Sequence, residues 1–263
     1  LEPNGSGGVD KGQLVSFDEE KAKELYQNGL SDSEIAEELN CSASSIQTFR
    51  VRNSFDRNNS AVKEVTQPGK FTSELSELVG LWVGDGSFHN DGVRFHISRD
   101  SVKERIEKIS ENLFGASPDS VWSGGCYEIC IHSHEIKRWW KQNFGEYKTS
   151  SVESSVPGVV FDSGKEEIKS FLRGLFTADG GLNRGLYPTL TTRSGELASD
   201  VQSLLIRVGI PAKDYSFEGG SNFIDESIER HLVSPTTETG IRAYAEEVGW
   251  IDEERNEENF KSV

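Results

Sequence analysis

Two aspartates in near-identical settings are the residues of this chain best placed for chemistry. Asp85 ends Leu78-Val79-Gly80-Leu81-Trp82-Val83-Gly84-Asp85-Gly86, and Asp179 ends Leu172-Arg173-Gly174-Leu175-Phe176-Thr177-Ala178-Asp179-Gly180. Both segments carry Leu first, Gly-Leu third and fourth, an aromatic fifth and a small residue before Asp-Gly, which marks an internal duplication. Small residues four apart, Gly80 with Gly84 and Gly174 with Ala178, put a smooth stripe on one helix face and let two backbones approach. Gly costs a soluble helix about 1 kcal/mol relative to Ala, so its paired use calls for a packing reason. Gly86 and Gly180 are expected as left-handed C-terminal caps, with each Asp in the last helical turn. Helices packed side by side would bring both carboxylates to one end. The unpaired terminal carbonyls and negative dipole ends there favour a hard divalent cation, Mg²⁺ or Mn²⁺.

The elements that must position these residues follow the same order twice. After Gly86, Asn90-Asp91-Gly92 signals a hairpin, and Val93, Phe95 and Ile97 alternate with Arg94, His96 and Ser98. Val102, Ile106, Ile109 and Leu113 recur at helical spacing up to Gly115. A second hairpin over about 120–132 turns at Gly124-Gly125, and a helix over about 134–143 precedes Gly145. The second half repeats this with strands near 182–192, a helix from Ser194, strands over about 213–233 and a helix over about 237–248. The expected class is α+β, two pseudo-symmetric αββαββα repeats with saddle-like antiparallel sheets, at 72–157 and 158–263.

The paired segments resemble the motifs of LAGLIDADG homing endonucleases, in the two-motif, single-chain (DOD-type) form found inside inteins. The resemblance covers roughly residues 72–250. It implies hydrolysis of both strands of a long, nearly palindromic DNA site by a monomer whose internal pseudo-twofold matches the site. It also implies metal ions at Asp85 and Asp179, aided by the carbonyls of Gly84 and Ala178, in an in-line displacement. On the open sheet faces the DNA readers would be Arg94, His96 and Ser98, with Thr189, Thr191 and Arg193. The same alternation also fits a plain solvated face, and a one-residue slip would exchange the two faces. A scaffold that binds DNA without cutting is the alternative. An RNA-processing role is disfavoured because stacking aromatics are not expected on the exposed strand faces.

Two departures bear on cleavage. Intein endonucleases resembling this chain commonly carry Lys just before an Ile-Pro or Val-Pro dipeptide, whereas Val156-Pro157 follows Ser154-Ser155. A second Lys expected after a Gly-aromatic pair is replaced, after Gly249-Trp250, by Arg255. Lys148 and Arg255 are the candidate accessory cations. Splicing ends are absent too, since the chain begins at Leu1, ends at Val263 and contains no Met, which reads as a central piece of an intein or a fragmentary gene.

Ahead of the repeats, residues 1–17 read as a flexible lead-in, 18–58 as a helix-turn-helix and 59–71 as a linker with Pro68-Gly69. The signature Ile35-Ala36 with Leu39, then Ser42, is of the helix-turn-helix type. The third helix would expose Ser44, Ser45, Gln47, Thr48, Arg50 and Arg52 to DNA; a three-helix packing module without DNA contact is the other reading.

Lys+Arg of 28 against Asp+Glu of 44 gives a net charge of −16, the reverse of the usual nucleic-acid footprint. Sequence pI is 4.8 and mean hydropathy −0.54. A salt-adapted (halophilic) source would accommodate such a surface by screening its self-repulsion. Charge runs at Asp252–Glu254 and Glu257-Glu258 are then expected to be solvated. With no 18-residue apolar stretch and three unpaired-looking cysteines, a cytoplasmic protein without membrane contact is expected. Cys126, Cys130, His132 and His134 share one strand parity, but an extended strand would spread them too far for one zinc ion.

Overall fold

The computed structural model describes residues 17–28, 30–53, 55, 65–145, 153–183, 187–221 and 224–261. The chain divides into two compact units, Leu1–Lys63 and Glu64–Val263.

The first unit contains α1 (Glu19–Gln27), α2 (Asp32–Glu38) and α3 (Ala43–Arg52). Each begins at a side-chain cap: Asp18 accepts from two backbone amides, Ser31 and Glu34 form a capping box, and Ser42 accepts from Ser45 N. Asn40, at φ 48°, turns the chain between α2 and α3. Ala22, Tyr26, Ile35, Ala36, Ile46 and Phe49 form its core.

The second unit holds two copies of one motif. The first runs α4 (Ser73–Asp85), β1 (Gly86–His89), β2 (Gly92–Ile97), α5 (Asp100–Phe114), β3 (Asp119–Ser123), β4 (Cys126–His132) and α6 (His134–Phe144). After a one-turn helix α7 (Gly158–Phe161) come α8 (Lys165–Asp179), β5 (Gly180–Asn183), β6 (Tyr187–Thr192), α9 (Gly195–Arg207), β7 (Ala212–Ser221), β8 (Ile224–Pro235) and α10 (Thr237–Glu247). A last helix, α11 (Glu253–Lys261), closes the described chain. The sheets have the orders β1-β2-β4-β3 and β5-β6-β8-β7, antiparallel throughout. Gly124 and Gly125, at φ 62° and 91°, supply the positive angles that a tight two-residue hairpin needs.

The motif aromatics explain how each copy closes on itself. Trp82 packs against Trp140 of α6 at 5.7 Å, and Phe176 against Tyr244 of α10 at 5.1 Å, all buried. Val93, Phe95, Ile97, Ile129 and Ile131 face the helices, and one core runs through both copies. Val65 and Phe71, expected in a linker, pack against that core, and Thr66 N donates to Phe114 O at 3.0 Å.

Candidate functional site

The seam between α4 and α8 is packed backbone to backbone. A Cβ on Gly80 would lie 2.1 Å from Phe171 O, and one on Gly174 would lie 2.1 Å from Glu77 O. Toward the C-terminal end, a Cβ on Gly84 would meet the Ala178 Cβ at 2.5 Å and the Asp179 Cβ at 3.4 Å. Asp85 and Asp179, each the last residue of its helix, are thereby brought to the same end of the seam. Across the middle, the buried Glu77 carboxylate takes Arg105 Nε at 2.6 Å and Arg173 Nε at 2.7 Å.

The expected left-handed caps are corrected. Gly86 and Gly180 are extended, with φ of −91° and −95°, and each chain passes straight from helix into strand. Glycine is needed there for space: a Cβ on Gly86 would lie 2.1 Å from Trp82 Cδ1, and one on Gly180 2.6 Å from Phe176 O. Each cap amide still closes the last turn, onto Trp82 O and Phe176 O respectively.

Beside this end lies a cleft of about 200 Å³ lined by Asp85, Ser98, Arg99, Thr177, Ala178 and Arg255 among others. Arg255 reaches it but is fully engaged. It donates to Thr177 O at 2.8 Å, Gly180 O at 3.3 Å and Asp252 Oδ2 at 2.6 Å, and stands over the Trp250 ring at 4.2 Å. It therefore caps the carbonyl end of α8. Burial draws its guanidinium below the ordinary range, against the pull of Asp252. Asp252, expected to be solvated, is buried between Arg255 and Arg99, whose Nη1 donates to it at 2.6 Å. Arg99 is the cation that sequence reasoning missed. It lies two residues past the end of β2 and directly precedes α5, so the strand alternation that singled out Arg94, His96 and Ser98 does not extend to it. Ser154 and Ser155 are buried, and Ser194 Oγ donates to Ser154 O at 2.5 Å. Lys148 lies outside the described residues.

The first sheet's face away from the helices carries Arg94 and His96, both half-buried, whereas Ser98, expected there, is exposed just beyond the end of β2 at Ile97. Arg94 Nη1 donates to Glu128 Oε1 at 2.6 Å, which holds that carboxyl below its usual range. On the second sheet Thr189 is half-buried and Thr191 exposed, whereas Arg193, expected on the same face, is exposed one residue past the end of β6 at Thr192. One expectation is overturned there. Tyr187, Tyr215 and Phe217, exposed by 41%, 51% and 42%, share the parity of Thr189 and Thr191, so the open face of the second sheet does carry aromatics.

In the first unit, Ser44, Gln47, Thr48 and Arg52 of α3 are exposed and Ser45 is half-buried. Arg50, expected outside, turns inward. Its Nε lies 3.1 Å from Asp32, which also accepts from the Tyr26 hydroxyl, and so it ties α3 to α2. Arg52 pairs with Glu19 at 2.6 Å.

Two sheets with helices on one face and twin glycine-lined helices between them define the LAGLIDADG homing-endonuclease fold. Residues 166–249 match the family model of the LAGLIDADG-like domain. Among solved structures, I-DmoI in complex with DNA and Mn is similar at a TM-score of 0.50 and 12% identity, covering 68% of this chain and 98% of that one. Among curated relatives, a DNA polymerase of Thermococcus hydrothermalis is 27% identical over 206 residues, 73% of this chain and 12% of that protein. A glutamine–fructose-6-phosphate aminotransferase of Methanocaldococcus jannaschii is 26% identical over 214 residues, 78% of this chain and 17% of that protein. A replicative DNA helicase DnaB of Rhodothermus marinus is 41% identical over 170 residues, 58% of this chain and 18% of that protein. The chain thus spans less than a quarter of the length of these relatives. Among the described residues, no helix is long and apolar enough to cross a membrane.

Proposed function

We propose that the Glu64–Val263 unit is a sequence-specific double-strand DNA endonuclease, carried as an insert in a host protein. The observation that carries this reading is the convergence of Asp85 and Asp179 at a backbone-tight seam between two open antiparallel sheet faces. The donors at that end are carboxylate and carbonyl oxygens beside a polar cleft, which suits Mg²⁺ or Mn²⁺ better than a softer ion. Bound there, a divalent ion would supply an activated water and charge neutralisation at the leaving oxygen. Asp85 and Asp179 hold and orient that centre. Arg99, at the cleft with its side chain 40% exposed, is placed to take a backbone phosphate. Arg94, His96, Ser98, Thr189, Thr191 and Arg193 read base edges, and the pseudo-twofold of the unit matches a nearly palindromic site.

A polymerase, an aminotransferase and a helicase share no activity, yet each matches this chain over a small fraction of its length. That pattern supports the reading of this chain as a mobile insert of the intein kind. The three-helix unit would add DNA contacts of its own through Ser44, Gln47, Thr48 and Arg52, raising affinity by linkage. The acidic composition supports a salt-rich working environment.

A second reading, DNA binding without cleavage, is favoured by one feature: the position before Val156-Pro157 holds two buried serines, and Arg255 is committed to Asp252 and helix carbonyls. A cleavage assay on a randomised duplex library with Mg²⁺ in high salt separates the two. Cutting at one long site, reduced at least about 10²-fold in Asp85→Asn/Asp179→Asn, is the expected result. Selective retention of DNA with no cutting by either protein would replace the endonuclease reading with the binding one.

A further inference from the structure

The open face of the first sheet carries a second cluster of ligating side chains, at the end of the sheet away from the helix seam. His89 ends β1, Asp91 lies in the β1–β2 turn, and Cys130 and His132 stand two apart on β4. The register sets Gly92 opposite both His89 and His132, and Arg94 opposite Cys130, so the two histidines and the cysteine share the open face. One donor atom from each of the four residues lies within 4.8 Å of all the others. The closest pairs are His89 Nδ1 to Asp91 Oδ1 at 2.6 Å, His132 Nδ1 to Asp91 Oδ1 at 3.0 Å and Cys130 Sγ to His132 Nδ1 at 3.7 Å.

We propose that His89, Asp91, Cys130 and His132 form a tetrahedral Zn²⁺ site that clips the β1–β2 turn to β4. With Zn–N near 2.0–2.1 Å and Zn–S near 2.3 Å, neighbouring ligand atoms of a tetrahedral site sit roughly 3.3–3.8 Å apart. The short pairs reach that spacing by opening about 0.7 Å or less, and any pair near the 4.8 Å limit by closing about 1–1.5 Å. Two imidazoles, a thiolate and one carboxylate are a borderline-soft set that selects zinc over the Mg²⁺ suited to the helix ends. His89 follows Asp85 by four residues, about 13 Å along an extended strand, so the two centres are separate. The other nitrogen of His132, Nε2, lies 3.6 Å from the exposed Asp119 carboxylate, which a small side-chain rotation would bring into the contact that orients a metal-bound imidazole.

The backbone around the cluster is already held. Lys137 Nζ donates to the carbonyls of His89 and Asn90 at 2.7 and 3.0 Å, and a Cβ on Gly92 would lie 2.2 Å from Ile131 O. The turn is pressed onto β4 by contacts independent of any ion, which pre-organises the ligands. The second repeat shows that the fold itself does not require these residues. Gly86 pairs with Phe95 as Gly180 pairs with Leu190, and Phe95 pairs with Ile129 as Leu190 pairs with Val233. By that correspondence Asn183 stands at the position of His89 and Ser234 at that of Cys130. Cys126, Cys130, His132 and His134 share one parity along the chain, but His134 already begins α6. Of these, only Cys130 and His132 belong to the cluster, and their partners come from the neighbouring hairpin.

Cobalt(II) titration of untagged, chelator-stripped full-length protein tests the site without reference to cleavage. The expected result is one ion per chain with the intense visible bands of tetrahedral cobalt and a thiolate charge-transfer band, both removed by one equivalent of Zn²⁺ and unaffected by millimolar Mg²⁺. The chain has three cysteines, so Cys41→Ser and Cys126→Ser, which leave the site untouched, must keep the charge-transfer band if Cys130 supplies the thiolate. His89→Gln, at a partly exposed position, should weaken cobalt binding at least about tenfold, and Asp85→Asn/Asp179→Asn should leave it unchanged. Weak octahedral spectra with no charge-transfer band, or loss of the band in Cys126→Ser, would overturn the proposal.

Discussion

Replacing Gly80 by Ala adds one methyl group at the tightest point of the molecule and tests the seam directly. That carbon would stand 2.1 Å from a backbone oxygen, Phe171 O, and 2.9 Å from Leu175 N, and neither atom can rotate away. To reach ordinary van der Waals contact the two helix axes must move apart by more than about 1 Å at this point. Overpacking of this kind costs about 1–3 kcal/mol or more, and the higher helix propensity of Ala returns about 1 kcal/mol. A backbone clash belongs at the upper end, so the net loss should be about 2 kcal/mol or more. For a unit of this size that is a drop in Tm of roughly 4–8 °C or greater. All five tryptophans lie beyond residue 64, so tryptophan fluorescence reports this unit alone. Gly158→Ala, where nothing lies within 4 Å, should change stability by no more than about 0.5 kcal/mol and serves as the control. Gly174→Ala should match Gly80→Ala. The double variant should cost less than the two together, because one separation of the helices relieves both clashes. If Gly80→Ala were as stable as Gly158→Ala, the backbone-to-backbone seam, and with it the convergence of Asp85 and Asp179, would be refuted.

Glu77→Gln removes the buried charge whose two oxygens hold Arg105 of α5 and Arg173 of α8. The loss should be about 3 kcal/mol by urea denaturation, the low end for a broken buried pair because both arginines keep some solvent; a loss below about 1 kcal/mol would show that the charge is dispensable. Asp200 is raised above the ordinary carboxylate range by burial, against the hydrogen bond from Val156 N at 3.0 Å. Its ionised form is thus disfavoured in the folded state, and stability is lost as pH rises from the ordinary carboxylate range through the raised value. Asp200→Asn, which can still accept from Val156 N, should stabilise the protein at neutral pH and give no gain in acid. An equal effect of the substitution at both pH values would contradict that assignment.

Periodicity exposed the duplicated plan because it is a local property. The alternation of Val93, Phe95 and Ile97 with Arg94, His96 and Ser98 has a single physical solution when one face of a sheet is covered. Likewise, the glycine spacing in the two motifs announced a close helix contact, and Ser31 and Ser42 marked helix starts through their capping chemistry. What escaped the sequence depends on partners distant in the chain. Gly86 and Gly180 looked like left-handed caps, but the reason for glycine is a wall of Trp82 or Phe176 atoms. Arg50 sits in a basic stretch, yet Asp32, 18 residues earlier, draws it inward. Asp252 belongs to an acidic run, yet Arg99, 153 residues earlier, buries it beside the seam.

By itself the sequence determined the αββαββα order of each repeat, though not the added helices α7 and α11, together with the twofold plan, the covered and open faces of the first sheet's hairpin, and the two aspartates at matching helix ends, since each follows from residue type and short-range spacing. Only the tertiary structure decided that Arg255 serves as a helix cap, that Arg99 lines the cleft, and that His89, Asp91, Cys130 and His132 meet. Those outcomes rest on strand register and helix approach, which are set by contacts between residues tens of positions apart and leave no periodic trace along the chain.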